Sequence, residues 1–162
     1  MDLSDYTLDT LHSQGEFVLC RSRPRTGTNP HPPSVLVLMS RSEHPRPESI
    51  RMLEHEHSLR AELDAAWAVP PVELTQYEGR TVLVLEDPGG KPLDQLVGTP
   101  MEIGQFLRVA IGLSAAVRHL HGRGLIHKDL KPANVHFAGK NDSPRSYCFG
   151  GAGRSKTSGR VK

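Results

Sequence analysis

The segment from residue 101 to 135 constrains this chain more than any other. Small or apolar residues recur at Ile103, Phe106, Leu107, Ala110, Ile111, Ser114, Val117 and Leu120. That period predicts one long amphipathic helix over 101–121, ended by Gly122 and Gly124. A short apolar step follows at Leu125-Ile126, then the polar run His127-Lys128-Asp129-Leu130-Lys131-Pro132-Ala133-Asn134-Val135. A long helix, a glycine break and an acid-and-amide loop form an order that few folds use.

The polar run matches the protein-kinase catalytic loop, His-Arg-Asp-Leu-x-x-x-Asn, at every position but the Arg, here Lys128. In phosphoryl transfer a protein works by positioning groups and stabilising charge. The resemblance makes Asp129 the residue that takes or orients the proton of an attacking hydroxyl. It makes Asn134 a magnesium ligand, and Lys131 the cation that reaches the transferred phosphoryl group, as in Ser/Thr rather than Tyr kinases. It makes His127 a brace for the loop. Lys128 lacks the bidentate guanidinium fork of the Arg it replaces, which argues against control through a phosphorylated activation loop.

The N-terminal half follows the same order in outline. The apolar run Phe17-Val18-Leu19-Cys20 reads as a strand after a turn at Gln14-Gly15. Gly15 is compatible with an ordinary hairpin turn and, equally, with a remnant of a glycine-rich phosphate cover. Residues 23–34 contain Pro24, Pro30, Pro32 and Pro33 and form a loop. The apolar run 34–39 suits the middle of a sheet, but no Lys occurs between Met1 and Lys91. The kinase strand lysine is therefore missing, and Arg41 is the nearest substitute. An amphipathic helix is predicted over 48–63, with Ile50, Leu53, His57 and Ala61 on one side. In it Glu56 is either the partner of the lost lysine or a solvated helix residue. His55 and His57 diverge on a helix and cannot share a metal ion. Strands are predicted at 72–77 and 81–86, with a turn at Glu78-Gly79 between them, and a short helix at 93–96. Leu85-Glu86-Asp87-Pro88-Gly89-Gly90 reads as a kinase hinge or as a bare turn. As a hinge, Glu86 would accept from the adenine amine through its carbonyl. Pro88 has no N–H, so Asp87 or Gly89 would have to donate in return.

At 162 residues the chain has room for one ordinary domain, whereas a two-lobed kinase needs roughly 250. The resemblance therefore implies an α+β, protein-kinase-like fold that is incomplete. Residues 5–86 would form the small lobe, with an antiparallel sheet and one helix, and residues 87–135 the hinge and the start of the large lobe. Residues 136–162 would be a basic tail without apolar period, expected to be disordered or non-native. Residues 1–135 hold 14 Lys or Arg against 17 Asp or Glu, and residues 136–162 hold 6 against 1. A basic tail invites a nucleic-acid or anionic-surface role, but that is the weakest reading. Within it Cys148-Phe149-Gly150 stands where kinases carry Asp-Phe-Gly, and a neutral thiol cannot replace a carboxylate on magnesium. No long apolar run or leader is seen, and Cys20 and Cys148 sit in no metal spacing, so a cytoplasmic setting with reduced thiols is expected.

More narrowly, the chain resembles the kinase-like domain that opens large bacterial multidomain sensor proteins. The resemblance implies ATP and magnesium as cofactors, and a protein substrate or a downstream signalling domain as partner. The leading expectation is transfer of the γ-phosphoryl group to Ser or Thr. The alternative is an inactive pseudokinase that docks or senses, and a third is a nonfunctional fragment whose long helix exposes apolar surface.

Overall fold

The computed structural model describes residues 3–25, 33–98 and 100–137, with the backbone of 144–146 and 153–154. Five strands build one antiparallel sheet: β1 (Tyr6–Gln14), β2 (Phe17–Pro24), β3 (Val35–Ser40), β4 (Pro71–Tyr77) and β5 (Arg80–Glu86), in the order β1-β2-β3-β5-β4. β3 lies at the centre because every one of its residues is apolar or small, and all six are buried. Its alternation divides two apolar layers. Leu36 and Leu38 join Phe17, Leu19, Leu53, Val69, Leu83 and Leu85 on one face. Val35, Val37 and Met39 join Leu3, Tyr6, Cys20, Val82 and Val84 on the other. The two hairpins need backbone that L-residues resist. Gly15 has φ 55°, and Glu78 and Gly79 both have positive φ, as a two-residue turn between twisted strands demands.

Helix α1 (Pro47–Ser58) covers the first face. Its buried residues are Ser49, Leu53 and Glu56, not the stripe Ile50, Leu53, His57 and Ala61; only Leu53 is common to both, and Ala61 is exposed. The helix also stops at Ser58 instead of continuing to 63. The amide of Leu59 bonds back to Glu56 in a tightened last turn, and the chain turns away through a 3-10 turn at Arg60–Glu62. Leu59, Leu63 and Trp67 are thereby buried against Ala116, Leu120 and Leu125. That apolar reward outweighs one more helical turn.

After the sheet come the short β6 (Lys91–Pro92), a 3-10 turn at Leu93–Gln95 where a short helix was expected, and α2 (Ile103–Gly122). The Glu102 carboxylate caps α2 by accepting from the amides of Gly104 and Gln105, which holds its pKa below the usual glutamate value. Gly124, with φ 73°, turns the chain out at the far end, and its amide bonds to the carbonyl of His121. β7 (Leu125–Ile126), a 3-10 turn at Pro132–Asn134 and β8 (Val135–Phe137) follow. β8 pairs antiparallel with β6 and with β9 (Pro144–Ser146), and β10 (Gly153–Arg154) pairs with β7. His136 and Phe137, placed in the tail by composition, are thus buried strand residues. Cys148, Phe149 and Gly150 lie outside the described residues. The architecture is α+β, with a sheet and helix compatible with a kinase small lobe. No helix among the described residues is long and apolar enough to cross a membrane.

Candidate functional site

The loop between β7 and β8 is organised by its own side chains. Asp129 donates its backbone N–H to Nδ1 of His127 (3.3 Å). The Asn134 amide group donates to the Asp129 carbonyl (2.8 Å) and to its carboxylate (3.1 Å). The ammonium of Lys131 pairs with the same carboxylate oxygen. Lys131 and Asn134 therefore converge on the Asp129 carboxylate, while His127 holds the Asp129 amide. Lys128 points into solvent. Asn134 is buried because the 3-10 turn packs Ala133 and Asn134 inward, under the start of β8.

That packing leaves the Asn134 Oδ1 buried, with no hydrogen-bond partner among the described residues. A buried carbonyl oxygen in that state is costly unless something accepts its lone pairs. A hard cation such as magnesium takes oxygen ligands of this kind, so the residue fits one coordination position. Among the described residues no cluster of three or more His, Cys, Asp or Glu could hold a metal by itself.

The segment that follows β5, expected as a hinge, is tied to β2 and to Ser34 by a polar knot that no local pattern announces. Asp87, whose side chain is 3% exposed, receives the guanidinium of Arg21 from β2 at 2.8 and 2.9 Å. It also accepts from the Ser34 hydroxyl (2.8 Å) and from the amide of Gly89 (2.9 Å). Burial opposes ionisation of this carboxyl, but the Gly89, Ser34 and Arg21 contacts outweigh it and hold its pKa below the usual aspartate value. Arg21 reaches on to the carbonyl of Gly90 (3.0 Å). The Gly89 N–H, expected as a candidate donor to adenine, is thus engaged by Asp87, and Glu86 presents an exposed side chain. Beneath the knot, His136 is fully buried. Burial, and then the positive Arg21, push its pKa down to about 4, so the ring is neutral.

The β1–β2 hairpin is anchored at two further points. His12 lies 3.7 Å from Asp94, in the 3-10 turn at Leu93–Gln95. At the hairpin tip beside Gly15, Glu16 accepts from the Ser49 hydroxyl (2.6 Å) and faces Arg46 (3.4 Å), which joins the tip to the start of α1. Glu56 is buried at 4% exposure, so it is not a solvated helix residue. It follows Leu53 by one turn on the side of α1 that faces Leu36 and Leu38. No lysine stands on β3. Arg41 lies beyond its end, exposed, beside Gly15 and His44 in a small polar recess. Arg21, Asp94 and His136 were not singled out by sequence reasoning. Their partners lie tens of residues away, beyond the reach of any local pattern.

Known proteins resemble part of this chain. Over 99 residues it is 30% identical to the serine/threonine-protein kinase Pkn1 of Myxococcus xanthus, which covers 60% of this chain and 13% of that protein. Over 83 residues it is 34% identical to the serine/threonine-protein kinase PknD of Protochlamydia amoebophila, covering 49% and 8%. Over 96 residues it is 31% identical to the DNA damage-responsive serine/threonine-protein kinase RqkA of Deinococcus radiodurans, covering 56% and 14%. The chain thus spans a small fraction of the length of these relatives. No family model matches it. With a five-stranded sheet of compatible topology, these likenesses make the chain kinase-like, similar over about half its length to bacterial Ser/Thr protein kinases.

Proposed function

We propose that this chain is a phosphoryl-transfer domain, or part of one, that uses ATP and acts on Ser or Thr hydroxyls of a protein. The observation that carries this reading is the convergence of Lys131 and Asn134 on the Asp129 carboxylate. In such a reaction the substrate oxygen bonds to the γ-phosphorus as the bond to the ADP oxygen breaks. Asp129 takes the hydroxyl proton, and Lys131 moves from the acid to the transferring phosphoryl oxygens. Magnesium, when bound, neutralises the phosphates; Asn134 would hold it through Oδ1.

The second reading is a pseudokinase that docks or senses, favoured by the hinge. The Asp87 carboxylate, held by Arg21, takes up the Gly89 N–H, one of the two donors that could face adenine, and no cation on β3 replaces the lost lysine. A missing charged contact to phosphate removes on the order of 3 kcal/mol of transition-state stabilisation. Incubation of the purified chain with γ-labelled ATP, magnesium and a basic protein separates the two. Transfer that vanishes in Asp129→Asn supports the enzyme, and absence of transfer with native, folded protein supports the pseudokinase.

A further inference from the structure

On the sheet face away from α1, behind the hinge, a cavity of about 480 Å³ is lined by Tyr6, Pro33, Ser34, Val35, Val72, Glu86 and Asp87. That volume lies within the usual range for small-molecule sites. Its walls are chiefly apolar: Val35 is 7% exposed, Tyr6 is 3% exposed, and Val72 packs against the same layer. Two polar groups at this cavity are unused. The Tyr6 hydroxyl makes no hydrogen bond among the described residues, although the residue that carries it is almost wholly buried. The Glu86 carboxylate, exposed at the rim, makes no ion pair among them. The remaining polar groups are already committed, since Ser34 donates to Asp87, and Asp87 is neutralised by Arg21.

We infer that this cavity is a binding site for a small, mainly apolar organic cation: an aromatic or aliphatic ammonium whose hydrocarbon part fills the space between Tyr6, Val35 and Val72. Its ammonium donates to the Glu86 carboxylate and the Tyr6 hydroxyl. Three properties select this class. Apolar walls exclude a strongly hydrated ion. A phenol ring attracts a cation over its face. An unpaired carboxylate at the mouth repels an anion and strengthens a hydrogen bond from a positive donor. The site is separate from the Asp129 loop, so it stands whether or not the chain transfers phosphate.

The test uses phenethylammonium as probe and the full chain, with binding followed by calorimetry and by ligand-observed NMR. One saturable site is expected, and Glu86→Gln should weaken it about tenfold, the loss of one charge-assisted contact. Val72→Trp, which fills the cavity, should abolish binding while the thermal melt stays cooperative. If Val72→Trp fails to fold, Glu86→Gln decides alone, because that position is exposed. Equal affinity for 3-phenylpropionate, an unchanged affinity in Glu86→Gln, or no saturable binding in the millimolar range would each overturn the inference.

Discussion

Arg21 and Asp87 show how much of this molecule depends on single side chains. Their pair is nearly dry on the acid's side. A buried carboxylate stripped of its cation costs far more than the pair itself contributes. Arg21→Ala is therefore expected to destabilise the fold by roughly 3 kcal/mol, read from urea unfolding; a change below ~1 kcal/mol would show the acid to be rescued by water. His136 gives a pH signature. Its folded pKa of about 4 lies below its ordinary 6.5, so the unfolded chain binds a proton between those values and the folded chain does not. Its contribution is complete above pH 6.5, falls as pH drops towards 4, and is level below. Across that window the loss from this group is roughly 3 kcal/mol. Unfolding at pH 7 and pH 4.5 measures it, and His136→Phe should flatten the slope. The Asp129 loop was legible in sequence because its chemistry is local, with every partner within five residues. The knot around Asp87 was not, because Arg21 stands 66 positions away.

Among the elements, α1 shows where periodicity misleads. A helix that buries Ser49 and Glu56 hides its inward face from a search for apolar spacing. Both polar residues have partners, and Leu53, with the half-buried Met52, marks the side that meets the sheet. Leu53→Ala should cost about 3 kcal/mol and, by loosening α1, should free the hairpin tip held through Ser49 and Glu16. Thermal melting tests the first effect, and amide exchange at Gly15 and Glu16 tests the second. Four of the five strands were readable as short apolar runs bounded by turn and loop residues; β1, mostly exposed or half-buried, carries no such run. At the end of α1 the sequence continued in helical composition, but Leu59, Leu63 and Trp67 were claimed by α2. Trp67 stacks on His119 with ring centroids 5.8 Å apart, and the Arg123 guanidinium lies over the Trp67 ring, 5.6 Å from its centroid.

For the whole molecule, α2 presents two apolar sides. Val109, Ala116 and Leu120 are buried, while Ile103, Phe106, Leu107 and Ile111 are 50–74% exposed. An apolar stripe of this kind promotes association. The chain by itself is expected to sediment as a mixture of associated species and to bind hydrophobic dyes. The double variant Phe106→Lys, Ile111→Lys should shift it towards monomer without loss of helix, and a monomeric, dye-silent parent chain would contradict this. The helical period set out the stripe but not its exposure: of the expected positions only Leu120 is buried, and Val109 and Ala116 carry the buried side instead. The β1–β2 hairpin at one edge of the sheet has a different consequence. Its hold on three elements, through His12, Glu16 and Arg21, makes opening a concerted event. Loss of one tie should therefore be felt at the other two, so that amide exchange along the whole hairpin, and not at one contact alone, registers their strength.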